Sequence, residues 1–576
     1  MAERIVSPGV FTREQDTSFL TPAPAEVSTA VVGPAVKGPI DIPQVVRSYG
    51  EYVAVYGDRF KSGSNYYQHL TSLTAEKFFE QGGDSLLVTR VAPSGYTSAT
   101  AEVTSGSTAL FTLETIGKGV IFTNSGSATE NLADGALLSG SSDNVRWEII
   151  GKNATQGTVD IIIRRGDDNA KNKIILETFN NVSLDPNSDN YVARRIGDVS
   201  YSVNGSDIIE SGEYPNQSAY VRVSSVGTKQ PDYFDNAGVA KTAYKATFDN
   251  LVVGSGSYHG TFEGGDGALD AAGANFFENI NGTNTQGLTV STGDVSDYDN
   301  AVAVLGNRDA FNFNVLLTPG LYQEHHSVTL GKMIDLVEDR GDAIFIADLT
   351  SYGATVATAT SEAGELNSSF AAGYWPWVKV QAQGLGRQVW APASSVMGGV
   401  LAFNDAVAAE WFAPAGLIRG GIPGVIRAER KLSRTDRDTL YSGKVNPLAT
   451  FPGSGVVAYG QKTLQTKASA LDRVNVRRLL INLKRFIGAQ ANNLVFEQNT
   501  IATRNRFLAT VNPYLENVIQ RQGLYAFRVT MDDTNNTADV IDRNQLVGQI
   551  YIQPTKTAEF IVLDFVVEPT GAAFSA

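Results

Sequence analysis

The spacing of apolar positions changes several times along the chain, and each change marks a change of element. Between Asn475 and Ile487, Val476, Leu479, Leu480, Leu483 and Ile487 recur at helical spacing, the pattern of a helix with one buried stripe. Arg477 with Lys484 and Arg478 with Arg485 lie two turns apart, which gives that helix a basic outer face. Near the C-terminus the period becomes that of a strand. Ile561, Leu563, Phe565 and Val567 alternate there with Phe560, Val562 and Val566, so both faces are apolar except at Asp564. Such a strand needs cover on both sides, from the body of its own domain or from another subunit.

At the other end, RIVSPGVFTREQD holds short strand-like pieces around Ile5, Val6, Val10 and Phe11, interrupted by Pro8 and Gly9. Proline cannot donate to a ladder, so this is at most an edge strand. Residues 1–22 read as an arm or as a disordered tail. A strand follows near Val27–Val32. Next comes a helix whose apolar side includes Tyr66, Tyr67, Leu70, Leu73 and Phe78 and which Gly82 and Gly83 end, and then a buried strand over Ser85–Val91.

The composition turns to Gly, Ser, Thr, Asn and Asp near Pro93–Gly95. Residues 96–300 then carry short strands such as VRWEII and VDIIIRR between the turn pairs Asp134–Gly135, Asn204–Gly205 and Asn281–Gly282. From Ala301, NFNVLLTPG, HSVTLGKMIDLVEDRG and DAIFIADLT read as a βαβ unit. A Gly/Pro-rich region, two helices and closing strands complete the chain. The predicted fold is multidomain α+β. An inner α/β core is built from both chain ends (23–95 and 396–555), with a β-rich insertion at 96–300, an α/β middle domain at 301–395, an N-terminal arm at 1–22 and a C-terminal strand or arm at 556–576. Long insertions cost little in loop closure.

Composition narrows the function. The chain has 576 residues, 42% hydrophobic and 18% charged, enough for several cores. A net charge of −14 argues against broad nucleic-acid binding. No apolar run approaches the roughly 20 residues that span a bilayer, and the N-terminus lacks the order of a secretory signal. The chain therefore reads as soluble, with no membrane insertion and no visible export address. With no cysteine and four histidines there is little from which to build a metal site.

The candidate catalytic arrangements dissolve on inspection. His325 and His326 lack a ligand cluster at metal spacing and read as a helix start or a surface pair. Gly331–Lys332 lacks the upstream glycine of a phosphate loop. Met531–Asp539 has oxygen ligands but not the central glycine or terminal glutamate of a calcium loop, and reads as a polar turn between strands. No cofactor is implied. The basic helix is more informative. Arg473, Arg477, Arg478, Lys484 and Arg485 face only Asp472 and Glu497 between Asp472 and Gln498. Such an excess suits an acidic partner surface or internal pairing with the chain's own carboxylates.

A set of ordered motifs carries a resemblance: SPGVFTRE, VVGPAVKGP, SYGEYVAVYGD, YWPWVKV, FAPAGLIRGG, TLYSGKVNPLATFPGSG, VVAYGQKTL, SALDRVNVRRLL and EFIVLDFVVEPTGA. They span roughly residues 1–95 and 300–576, and the chain resembles the tail sheath proteins of contractile-tailed bacteriophages, the T4-like sheaths in particular. The resemblance implies a structural subunit of the virion, assembled in the host cytoplasm, and not an enzyme. Copies would stack as hexameric rings around a tail tube, meet baseplate and tail terminator proteins, and contract to drive the tube through the host envelope. It further implies strand exchange between subunits, mapped here to Val6, Val10 and Phe11 and to Phe560, Val562, Leu563 and Phe565. Arg477, Arg478, Lys484 and Arg485 are then expected to face the tube. A sheath from a related injection machine, a bacteriocin or a secretion system, is the alternative. A β-rich surface adhesion protein is a more distant one.

Overall fold

The computed structural model describes residues 28–62, 65–123, 144–166, 168, 171–256, 260–267, 277–290 and 296–560. Eight strands form the central sheet: β1 (Thr29–Gly33), β2 (Gln44–Val46), β3 (Leu86–Arg90), β4 (Val315–Tyr322), β5 (Ile344–Asp348), β6 (Ala371–Trp375), β7 (Val445–Phe451) and β8 (Gly455–Ala458). Their order is β2-β3-β1-β4-β5-β6-β7-β8. The strands from β3 to β7 in that order run parallel, and antiparallel β2 and β8 form the two edges.

Strands in a parallel sheet are covered on both faces and read as continuous apolar runs. Every residue of β1, β3, β4, β5 and β6 is buried. Leu87, Ala30, Leu316, Phe345 and Ala371 align across the sheet on one face, and Val88, Val31, Leu317, Ile346 and Ala372 on the other. Burying each large side chain of these rows contributes roughly 1.5–3 kcal/mol.

Helices α1 (Tyr49–Tyr56), α2 (Leu70–Glu80), α3 (Gln323–Arg340) and α4 (Ser394–Val407) complete the layers. α2 and α4 bring Leu73, Phe78, Met397 and Leu401 to the Val31 face, and α3 brings Leu330, Met333 and Val337 to the Ala30 face. Gly398 lets α4 lie close to the sheet, because a Cβ there would stand 2.6 Å from Leu317 Cδ1. The expected βαβ unit is β4-α3-β5. The helix expected from Tyr66 starts instead at Leu70. Tyr66 and Tyr67 sit in a short strand, Asn65–Tyr67, and the chain is still extended at His69.

The sheet crosses the expected domain boundaries. β1 and β3 come from the N-terminal segment, β4 to β6 from the 301–395 stretch, and β7 and β8 from beyond it. The inner core (23–95, 396–555) and the 301–395 middle domain therefore share one sheet. The cause is β1, which is apolar on both faces and takes a parallel neighbour on each side. Beyond the sheet, α5 (Val474–Asn492), α6 (Ile501–Gln520) and the hairpin Leu524–Thr530/Gln549–Pro554 pack around Trp411, Leu479, Phe507, Val511 and Leu515, while Val474 and Ile481 at the start of α5 reach into the core of the sheet.

The β-rich insertion is narrower than 96–300. Two three-stranded sheets (98–118 with 221–226, and 145–183) enclose one core containing Leu113, Ile161, Ile163 and Val223. Asn204–Gly205 turns the hairpin of residues 200–211, while Asp134–Gly135 lies outside the described residues. The two ends of the insertion meet where Thr97 N donates to Asp266 O at 3.0 Å. Residues 277–290 already belong to the body. Phe277 and Ile280 join one face of the sheet, Leu288 and Val290 join the other, and Gln286 Oε1 accepts the Leu70 amide at the start of α2.

Replacing residues 97–266 with a short Gly/Ser linker is expected to leave the body cooperatively folded, with a thermal midpoint lowered by a few degrees because Val36 and Phe60 lose the cover of Ile121. Thermal denaturation followed by circular dichroism checks this; a body without a cooperative transition would show that the insertion is integral to it. Leu317→Ala, at the middle of a transverse row, is expected to cost about 2–5 kcal/mol in denaturant unfolding.

Candidate functional site

The first turns of α5 place three arginines against three different elements. Arg473, the residue before the helix, pairs with Asp472 at 2.9 Å and donates Nε and Nη2 to Glu559 at 2.8 and 3.0 Å. Arg477 lies over the Phe370 ring at 3.9 Å and donates to the Ser369 carbonyl at 3.2 Å, and burial pushes its pKa down to about 10. Arg478 makes a two-pronged contact with Asp405 on α4, at 2.8 and 2.5 Å. Burial acts to lower the Arg478 pKa, but Asp405 and Glu410 more than offset it and hold it above its ordinary value.

These placements correct the expectation of a basic outer face. Arg477 and Arg478 are 5% and 2% exposed, and their charges are met inside the chain. The sequence shows why in retrospect: the helix opens Val474-Asn475-Val476, with Leu479 and Ile481 close behind, and all five are buried. This end is therefore enclosed on every side. Only Lys484 is exposed and Arg485 half-buried, one to two turns further on. No carboxylate closes an ion pair on either among the described residues.

Past the hairpin the chain returns across the body. Thr555 Oγ1 donates to the Gln522 carbonyl at 2.7 Å, Thr557 Oγ1 accepts from Gln461 Nε2 at 2.5 Å, and Glu559 collects Arg473, Tyr441 Oη at 2.6 Å and Gln461 Nε2 at 3.0 Å. Burial acts to raise the Glu559 pKa, but the hydrogen bonds from Tyr441, Arg473 and Gln461 outweigh it and hold the carboxyl below its usual range. Phe560, the next residue, is 80% exposed. It is the only one of the expected strand-exchange residues that the structure describes; Val6, Val10, Phe11, Val562, Leu563 and Phe565 lie outside the described residues, as does the arm 1–22. Sequence reasoning missed Glu559. Its signal was that of a lone acid placed directly before an apolar run.

The hairpin beside this path has two faces. Phe527, Val529, Ile550 and Ile552 pack toward α5 and α6, while Tyr525 and Tyr551 are 66% and 57% exposed. It is a two-stranded sheet, so neither of its outer edges meets another strand among the described residues.

The other candidates have structural employment. His326 is buried; its Nδ1 accepts the Tyr322 amide and its Nε2 meets the Asn281 carbonyl, and burial holds its pKa down to about 4. Lys332 pairs with Asp299 at 2.7 Å. Asp532 Oδ1 accepts the Thr534 amide, closing a turn inside the run 531–539 that leads from one hairpin strand toward the other. Asp348 is buried, with its pKa raised to about 7 by burial, and accepts Ser394 N at 3.0 Å and Oγ at 2.5 Å at the start of α4. Among the described residues no cluster of His, Cys, Asp or Glu fits a metal ion, and no helix is long and apolar enough to cross a membrane.

Comparison with known proteins adds identity to this geometry. Residues 292–464 match the phage tail sheath protein central domain and residues 466–568 the phage tail sheath C-terminal domain. The tail sheath protein of Enterobacteria phage T4 is 40% identical over 185 residues, 32% of this chain and 28% of that protein. The tail sheath protein of Vibrio phage KVP40 is 44% identical over 189 residues, 33% of this chain and 28% of that one. That of Salmonella phage ViI is 30% identical over 368 residues, 59% of this chain and 57% of that one. The aligned regions thus span between 28% and 57% of these relatives. In fold, the crystal structure of a sheath tail protein from Listeria innocua covers 92% of this chain and 96% of its own length at a TM-score of 0.52 and 11% identity.

Arg478→Ala strands Asp405, its two-pronged partner, and is expected to cost about 3 kcal/mol. Lys484→Ala is expected to stay within about 0.5 kcal/mol. Denaturant unfolding of both variants checks the contrast, and equal losses would contradict the burial difference. A carboxyl with a depressed folded pKa contributes stability above its unfolded value, here 4.5, and loses it as pH falls through the folded value. The stability gap between the wild type and Glu559→Gln should therefore be full at neutral pH and shrink on acidification below about 4.5.

Proposed function

We propose that the chain belongs to the phage tail sheath family, to whose central domain its residues 292–464 are similar and to whose C-terminal domain its residues 466–568. It is the structural subunit of a contractile tail sheath in the virion, assembled in the host cytoplasm. Copies polymerise as stacked rings of six around the tail tube, bounded by baseplate and terminator proteins. The extended polymer is a kinetic trap, and its contraction drives the tube through the host envelope without nucleotide chemistry.

The observation that carries this reading is the hairpin at 524–530 and 549–554, which meets no third strand among the described residues, together with an exposed Phe560 at the last described position. An unpaired strand edge accepts an added strand through main-chain hydrogen bonds and side-chain pockets together. The terminal segments, Val6, Val10 and Phe11 at one end and Phe560, Val562, Leu563 and Phe565 at the other, supply strands that neighbouring copies receive. Strand pairings of this kind keep subunits linked while their bodies rotate.

The tube contact has the opposite requirement, because it must break during contraction. With Arg477 and Arg478 committed inside the chain, Lys484 and Arg485 are the residues of the basic helix left to face an acidic tube. Exposed ion pairs contribute only about 0–1 kcal/mol each, which suits a contact made in many copies and released together.

Electron microscopy of the purified full-length chain across a range of concentrations tests the reading. Striated hollow cylinders of uniform diameter are expected, and removal of residues 1–22 should abolish them. The double variant Lys484→Glu/Arg485→Glu should still self-assemble but fail to assemble around tube protein. Normal tube-filled tails from that variant would refute the tube assignment, and dispersed particles at every concentration, with tube protein present, would refute the sheath.

A further inference from the structure

The path of the chain from Thr555 to Phe560 is alternately fastened and free. Thr555, Thr557 and Glu559 each hydrogen-bond to the body, Thr557 while itself exposed, and the exposed Lys556, Ala558 and Phe560 lie between and beyond them. This is the period of an extended strand lying on a surface. The last fastening is the strongest. The two oxygens of Glu559 receive four hydrogen bonds, two from the Arg473 fork and one each from Tyr441 and Gln461. A carboxylate has about four acceptor sites, so Glu559 is saturated, and the forked arginine contact fixes its orientation as well as its position.

Its three partners stand on three separate elements. Tyr441 is on the helix Arg434–Ser442, which packs against β7; Gln461 lies just beyond β8 and its carbonyl accepts the Val474 amide at 2.8 Å; Arg473 directly precedes α5. One carboxylate therefore joins the end of the described chain to the edge of the central sheet and to the C-terminal helices together.

We propose that Glu559 is the anchor of the C-terminal strand, a positioning residue that fixes where the strand leaves the body and passes the pull of a neighbouring copy into the eight-stranded sheet. The inference rests on the strand-exchange reading above and adds the point of load transfer to it. Without the anchor the strand would be rooted further back and would sample more directions before reaching a neighbour. That loss of pre-organisation is what lowers association.

The chain has no cysteine, so Ala558→Cys in the full-length protein gives a single attachment point for a nitroxide label between the last two fastenings. In the unassembled protein the label is expected to show restricted motion with Glu559 present and fast motion in Glu559→Ala, with the thermal midpoint of the body shifted by no more than a few degrees. The concentration needed for half-maximal assembly of unlabelled Glu559→Ala should rise roughly tenfold. The swap Glu559→Arg/Arg473→Glu should restore part of both effects. Should Glu559→Ala fail to fold, the swap and Glu559→Gln carry the same comparison. Identical label motion with and without Glu559 overturns the anchor whatever the state of assembly. Restricted motion lost without any change in assembly overturns the load-transfer role. A wild type that never assembles, with its label restricted, counts against the sheath reading and not against the anchor.

Discussion

Three arginines within six residues, Arg473, Arg477 and Arg478, are the constraint around which the C-terminal half is arranged. A guanidinium removed from water must be met by a carboxylate, carbonyl or aromatic face, or the fold loses several kcal/mol. Each of these meets a different element: Arg473 the returning chain at Glu559, Arg477 the Ser369–Phe370 turn before β6, and Arg478 the end of α4 at Asp405. These contacts fix the direction of α5, whose apolar stripe packs on α6. The remainder of the C-terminal unit, including the open hairpin, takes its orientation from that helix.

The proposed function divides the chain between a packed body and its exposed periphery. The parallel sheet is buried on both faces, and the β-rich insertion joins it where its two chain ends meet at Thr97 and Asp266. The exposed aromatics Tyr525, Tyr551 and Phe560 lie at the periphery. A polymer that changes its packing without unfolding its subunits needs this combination. Contacts inside the body must be too costly to break, while contacts between bodies must be either strand pairings that survive rotation or weak charge pairs that let go.

Much of this was legible in the chain. Strands such as Leu86–Arg90 and Ile344–Asp348 announce a two-sided core through unbroken apolar runs, and the helical period of Val476 to Ile487 marks α5 without ambiguity. The turn to Gly, Ser, Thr, Asn and Asp near Pro93–Gly95 falls a few residues before the strand Ser98–Ser105. The end of the insertion was misplaced because residues 277–290 are polar on average, although Phe277, Ile280, Leu288 and Val290 are pinned into the core. The fate of Arg477 and Arg478 was not readable from spacing. A basic residue on a helix flank is solvated or paired according to what packs opposite, and Asp405 and Phe370 are far away in sequence. Tyr66 and Tyr67 misled for a similar reason, since two aromatics before a helix extend its apolar period without belonging to it.

The most direct test of the account is a helical reconstruction of the assembled polymer at a resolution that traces the main chain. The account predicts that a strand from a neighbouring copy, continuing from its Phe560, lies hydrogen-bonded along an edge of the hairpin 524–530/549–554, with Glu559 still held by Arg473 in the copy that donates it. A hairpin whose edges are bare, with each terminal segment folded back on its own subunit, would contradict it.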